Sequence, residues 1–450
     1  MHVGHLRSTI IGDALARVMT FLGDDVIRQN HIGDWGTQFG MLLAYMHEIQ
    51  HRSKETLNLT DLESFYLAAK QRFDNDVDFA DDARAWVVKL QSHDPAAQAL
   101  WTQFITLSLA HCQALYQRLG VELQPSDVRA ESAYNDVLPH IVTHLHQQGL
   151  LQDSEGTQCV FLAEFVGKDK QPLPIIVQKK DGGYLYATTD LAALEYRYHH
   201  LRANRILYVV DARQSLHFQQ IFALAIRAGF VAPTTRLEHI DFGMILNKAG
   251  KPFKSRDGGV TKLIDLLDEA EQRAAVLIAH KNPHLTPSDC KDMAKIIGIA
   301  AVKYADLSKN RISDYIFDWD TMLSFEGNTA PYLLYANTRI HSILRKAAIR
   351  VETLALYEFQ ISQPQETLLA KHLTLFPEII VTVANKASPH LLCTYLYELA
   401  GLFSSFYEAC PILSAEAELE KNSRLKLAAL TSKLLEQGLH LLGIQTLQRM

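Results

Sequence analysis

The chain has 450 residues, 48% of them hydrophobic and 21% charged, a globular composition long enough for two or three cores. No run approaches the ~18 uninterrupted apolar residues of a membrane span, and Met1-His2-Val3-Gly4-His5-Leu6-Arg7 lacks the apolar stretch of a secretory signal. A net charge of -6 excludes a chain that is basic throughout, so any nucleic-acid contact must be local. The five dispersed cysteines argue for reduced thiols in a cytoplasmic setting, without a disulfide framework or zinc cluster.

Ser8 to Leu22 carries Ile10, Ile11, Ala14, Leu15, Val18 and Leu22 at helical spacing, with Gly23 as the stop. Val26–Gln29 reads as a short strand before the loop Gly33-Asp34-Trp35-Gly36, and Gln38 to Ile49 as a second helix. Residues 51–131 read as a helical insertion, with Trp86, Val87 and Leu90 on one apolar face. Strands are expected at Val160–Phe165 and Ile175–Gln178, then at Tyr184–Thr188 after a Gly182-Gly183 turn. Arg205–Asp211 reads as a buried strand, His217–Ala228 as a helix, Leu237–Leu246 as a strand and Thr261–His280 as a helix. That alternation predicts an α/β layer with a largely parallel sheet. Beyond Ser288 helical periodicity takes over, with helices expected at 365–386, 389–409 and 425–442, an all-α bundle.

Two motifs carry chemistry. His2-Val3-Gly4-His5 precedes a helix, where backbone amides and the helix dipole favour an anion, so a nucleotide phosphate suits His2, Gly4 and His5. An ordinary turn is the alternative; a metal pair is weaker, because no third ligand is nearby in sequence. Gly250-Lys251-Pro252-Phe253-Lys254-Ser255-Arg256 lies where a strand ends, the place where open α/β sheets bind ligands. Its cations suit a departing pyrophosphate; alone, a solvated basic loop would explain it equally well.

Together the motifs resemble the paired signatures of class I aminoacyl-tRNA synthetases, with Val3 in place of isoleucine in the first. Lys251, Lys254 and Ser255 match the second, which departs at Pro252 and Phe253. The stretches 2–13, 30–40, Tyr304-Ala305-Asp306-Leu307-Ser308 and Leu442-Gly443-Ile444 resemble the arginyl-tRNA synthetases, over essentially the whole chain. The resemblance implies a Rossmann-type α/β catalytic domain over 1–316 and an all-α anticodon-binding domain over 317–450. It implies an enzyme, an arginine–tRNA ligase using ATP with Mg2+, with L-arginine and tRNA(Arg) as partners, cytoplasmic, monomeric and away from membranes.

Site residues follow from the same likeness. His2, His5, Lys251, Lys254 and Ser255 would be catalytic, and His2, Gly4, His5, Lys254 and His217 would contact ATP. Tyr186, Asp190 and Gln214 match the family's arginine-binding triplet, and a carboxylate with phenol and amide suits a planar five-donor guanidinium. Read locally, Asp190 could instead cap a helix starting near Leu191, Tyr186 could be strand core, and His217 could be a surface histidine. Tyr332, Tyr335, Arg339 and Met450 would meet tRNA, stacking and charge being the usual means of reading single-stranded RNA, although one tyrosine is expected in the core. The family also carries an N-terminal domain and a strand before the histidine motif, so the natural protein is expected to begin upstream of Met1. The rival reading is a tRNA-binding paralogue that has lost adenylation.

Overall fold

A computed structural model describes residues 1–52, 62–168, 170–253, 261–349, 353–354 and 357–450. Its helices begin with α1 (Leu6–Leu22), α2 (Thr37–Arg52), α3 (Leu62–Asn75), α4 (Val77–Gln91), α5 (Pro95–Leu119) and α6 (Leu138–Gln147). Then come β1 (Leu151–Ser154), β2 (Thr157–Val166), β3 (Pro172–Gln178), α7 (Tyr186–His199), β4 (Arg205–Tyr208), α8 (Ser215–Arg227), β5 (Arg236–His239) and β6 (Ile245–Leu246). After α9 (Leu263–Lys281), α10 (Pro287–Leu307) and β7 (Tyr315–Ile316), the chain is helical: α11 (Trp319–Met322), α12 (Ala330–Ala347), α13 (Pro364–Thr374), α14 (Phe376–Lys386), α15 (His390–Ala409) and α16 (Glu418–Leu441).

The described strands form small sheets rather than one broad layer. β4 pairs with β5 and β6 with β7, both in parallel, while β1, β2 and β3 form an antiparallel sheet. The strand expected at Leu237–Leu246 is split. Between β5 and β6 the pairing thins to a single parallel bridge from Phe242 to Asp211, and the Gly243 carbonyl accepts a hydrogen bond from the Arg7 guanidinium at 2.8 Å. Val26–Gln29 is not a strand either. Pairing starts at Asn30, which bridges Val128 in parallel, and continues through Glu131 N–H to the Ile32 carbonyl at 3.0 Å. β7, of two residues, is too short to read from periodicity.

The largest revision concerns Tyr184–Thr188. Instead of a strand, α7 begins at Tyr186: the extended Leu185 offers its carbonyl to the amides of Thr188 and Thr189. The Thr188 hydroxyl donates to the Val177 carbonyl, fastening the new helix to β3. Asp190 therefore lies inside α7 and caps nothing.

Three apolar clusters fill the interior. One lies among α2 to α5, so the insertion packs against itself and α2. A second is built from α6, α7, α8 and the strands beside them. The largest runs from α1, α9 and α10 into α12, α14, α15 and α16, crossing residue 316 without a break. Pro364–Lys386 is apolar and long enough to cross a membrane by composition, but it is two helices. Pro377 lacks an amide proton and interrupts the ladder after Leu375, and Leu369, Phe376, Ile380 and Val383 point into the bundle.

Candidate active site

The histidine motif is a single 3-10 turn, Val3–His5, leading into α1. His2 Nδ1 accepts from the Gly4 amide at 3.0 Å, and His5 Nδ1 accepts from the His2 amide at 3.1 Å. The imidazoles lie with centroids 3.8 Å apart and their planes tilted by 39°. A side chain at position 4 would sit 2.7 Å from the His2 ring, so glycine is what lets the cap close. Loss of water, and then the neighbouring His2, push His5 down to about 4, and loss of water also lowers His2. Both rings are exposed and their outer nitrogens can offer N–H groups to an anion without carrying charge at neutral pH.

Residues 1–3 zip onto 261–263. His2 bridges Lys262 in antiparallel fashion, Val3 N–H donates to the Thr261 carbonyl at 3.0 Å, and Leu263 N–H donates to Met1 at 3.3 Å. Thr261 follows the lysine-rich segment in sequence, so this pairing holds the chain just beyond that segment against the histidine motif. The stem of that segment is a tight turn: Asn247 Oδ1 accepts from Ala249 and Lys251 amides at 3.0 and 3.1 Å, and Phe253 packs on Phe317 at 4.8 Å. Lys251 is exposed at its tip; Lys254 and Ser255 lie outside the described residues.

Below the motif, α1 is anchored by buried charge. Arg7 Nε lies 3.1 Å from Asp306 on α10, with both side chains at most 2% exposed, and its guanidinium also donates to the Gly243 and Ser313 carbonyls. Burial raises the Asp306 carboxyl although Arg7 opposes it. Two turns further along α1, Asp13 and Arg17 pair at 2.8 Å. Beside them the fully buried Lys303 donates to the carbonyls of Leu119 at 2.7 Å and Gly443 at 2.5 Å. Burial brings that lysine down to about 8.

Of the expected arginine triplet, the structure joins two members through a third residue. Tyr186 and Asp190 are one turn apart on α7. His217 Nε2 meets Asp190 Oδ2 at 2.7 Å, and its ring meets the Tyr186 ring edge-on at 5.0 Å. Gln214 is exposed at the start of α8, three residues before His217. The structure thus places His217, expected at ATP, against Tyr186 and Asp190, two of the residues expected to hold arginine.

Sequence reasoning missed the rest of this acidic site. Burial raises Glu131 to about 7, helped by the charges of Asp34 and Asp190. Asp34, 2% exposed, accepts from Ser132 N and Oγ at 2.9 and 2.6 Å. Burial lowers the nearby His31, assisted by Arg197, while Asp190 opposes the shift. The pairing of 30–32 with 127–131 is what gathers these groups. The signals in the sequence were the stretch 30–40, which holds His31 and Asp34, and the acid Glu131 at the boundary of the expected insertion.

In the bundle, Tyr332 is half-buried against Tyr397 at 5.6 Å, whereas Tyr335 is 48% exposed. The Arg339 guanidinium lies over the Tyr407 ring at 4.2 Å. Met450 packs against the large core and Arg345 donates to the Gln448 carbonyl at 2.9 Å, so the C-terminal residues fold back on α12.

Two families account for most of this chain. Residues 1–319 match the class I tRNA synthetase (R) catalytic domain, and residues 333–450 match the DALR anticodon binding domain. The arginine–tRNA ligase of Idiomarina loihiensis is 59% identical over 451 residues, covering 100% of this chain and 77% of that protein. The chain belongs to the class I arginyl-tRNA synthetases. The arginine–tRNA ligase of Pseudomonas savastanoi pv. phaseolicola is also 59% identical, with the same coverage. Among solved structures, the arginyl-tRNA synthetase of Plasmodium falciparum superposes with a TM-score of 0.85 at 33% identity, covering 100% of this chain and 74% of that one. The Thermus thermophilus arginyl-tRNA synthetase shares the fold, with a TM-score of 0.77 at 24% identity and coverage of 100% and 80%.

Proposed function

We propose that this arginyl-tRNA synthetase is an arginine–tRNA ligase that activates L-arginine with ATP and transfers it to tRNA(Arg). In the first step an arginine carboxylate oxygen bonds to the α-phosphorus of ATP and pyrophosphate leaves. In the second, the terminal ribose hydroxyl of the tRNA bonds to the arginyl carbonyl carbon and AMP leaves. No enzyme nucleophile is needed, so positioning and charge do the catalysis.

The observation that carries this reading is the acidic cluster of Asp190, Asp34 and Glu131, in a chain 59% identical to arginine–tRNA ligases. A guanidinium keeps its charge and offers a planar fork of donors that a carboxylate accepts in pairs. Asp190 would take that fork, Tyr186 and Gln214 its flanks, and Glu131 would add negative charge once ionised. Lysine offers a point charge without the fork, so the site discriminates by geometry.

His2, Gly4 and His5 would meet the ATP phosphates, with Lys251, Lys254 and Ser255 facing the departing pyrophosphate. The backbone joint between Val3 and Thr261 supports a shared site for these two motifs. Mg2+ would arrive on the ATP phosphates. Residues 1–316 would carry the chemistry and 317–450 the anticodon contact, through Tyr332, Tyr335, Arg339 and Met450. The half-exposed Tyr335 suits base stacking best. We further propose that the protein acts as a monomer in the cytoplasm.

Transfer of labelled arginine to tRNA(Arg), dependent on ATP, tests the reading. Charging by arginine and not by lysine is expected. Retained tRNA binding without any charging would favour the non-catalytic alternative.

A further inference from the structure

Resting on the reading that Asp190 takes the guanidinium, we propose that His217 is a positioning residue for that carboxylate and sets the affinity for arginine rather than for ATP. The imidazole is fixed from three sides. Its Nε2 lies 2.7 Å from Asp190 Oδ2, the Tyr186 ring stands edge-on at 5.0 Å, and the Phe218 ring lies 5.2 Å away. Phe218 in turn packs on His239 at 4.8 Å, and the His239 imidazole bonds to the Val210 carbonyl at 3.0 Å, so β5 and the end of β4 brace the first turn of α8. The contact is sheltered, with side chains 17% and 13% exposed.

An isolated carboxylate on α7 would turn among several rotamers, and a guanidinium fork needs both oxygens presented in one plane. A carboxylate has about four acceptor directions. One donor on Oδ2 removes the rotational freedom while leaving Oδ1 and the remaining Oδ2 direction for the fork. The same imidazole touches the Tyr186 ring, so it aligns two of the three arginine-binding groups at once. Gln214, three residues earlier at the start of α8, is carried by the same braced turn. With Nε2 held by Asp190, the proposal gives His217 to the arginine side of the reaction in place of the expected contact with ATP.

The test uses the full chain with tRNA(Arg), measuring aminoacylation while arginine and ATP are varied separately. His217→Phe keeps the ring packing and removes the donor; arginine KM should rise about tenfold, the scale of one lost hydrogen bond to a charged group, with ATP KM within about twofold. His217→Gln restores a donor and should recover most of the arginine KM. His217→Ala should behave like His217→Phe; if it unfolds, the Phe variant carries the result. Asp190→Asn is the control for the underlying reading, because an unmoved arginine KM there would remove the pocket assignment itself. With Asp190→Asn impaired, an unchanged arginine KM in His217→Phe, a rise in ATP KM instead, or a fall in kcat alone would each overturn the proposal.

Discussion

Asp306 and Asp190 both face a nitrogen-bearing side chain at close range, Arg7 at 3.1 Å and His217 at 2.7 Å, but in different solvent. The first pair is at most 2% exposed and its arginine also holds two backbone carbonyls from distant parts of the chain. The second is partly open, with the 63%-exposed Tyr186 beside it. A sealed pair cannot exchange its partner without unfolding, so it fixes where α1 and the histidine motif stand. A less buried pair can keep its own bond and still offer its remaining acceptor directions to a ligand. In the proposed reading, the sealed pair places the histidine motif and the partly exposed one presents Asp190 to the amino acid.

That contrast can be broken most forcefully at Asp306. Asp306→Asn leaves the Arg7 cation buried without its counter-charge, and about 3–5 kcal/mol of stability should be lost in urea unfolding. A loss below ~1 kcal/mol would mean that the carbonyls of Gly243 and Ser313 suffice. Next is Gly443, whose backbone lies at φ 66° and where a Cβ would meet Lys303 Nζ at 2.6 Å and Asp13 Oδ2 at 2.7 Å. Gly443→Ala should cost about 1–3 kcal/mol by thermal melting, from strain and crowding in a packed charged site.

The open site is sharpened by pH. Glu131 is raised from 4.5 to about 7, so its ionised form, which attracts the guanidinium, is lost as pH falls through 7. Arginine kcat/KM should therefore drop below pH 7, by up to about tenfold per unit, and Glu131→Gln should flatten that limb. For folding the sign reverses. A raised carboxyl favours the native state when protonated, so its contribution is full below pH 4.5 and gone above 7. The smallest effect is expected away from both sites. Thr329 caps α12, accepting from the Tyr332 amide at 3.3 Å, and Thr329→Ala should lower stability by about 1 kcal/mol with arginine KM unchanged.

The same contrast explains what was legible in the sequence. α1, α9, α15 and α16 follow from apolar spacing, whereas the single helix expected at 365–386 is two, α13 and α14, with Pro377 breaking the ladder; the histidine and lysine motifs stand out because their residue types cluster locally. The sealed network was not legible: Arg7 and Asp306 are 299 positions apart, and nothing local marks either as a partner. Glu131 escaped for the same reason, since only the pairing of 30–32 with 127–131 brings it towards Asp190. Tyr186 was misplaced on a strand because alternating Tyr184, Tyr186 and Thr188 imitates one. The carbonyl of Leu185 and the Thr188 contact to Val177 decide for a helix, and neither can be seen without the fold.

Measuring melting temperature and arginine KM together in Asp190→Asn and Asp306→Asn most directly separates the sealed positioning pair from the carboxylate proposed to bind arginine. Asp190→Asn should melt within a few degrees of the parent while its arginine KM rises by about 100-fold, and Asp306→Asn should melt far lower with an arginine KM close to the parent's in the folded fraction. An Asp190→Asn protein that loses stability as Asp306→Asn does, yet binds arginine normally, would contradict that separation.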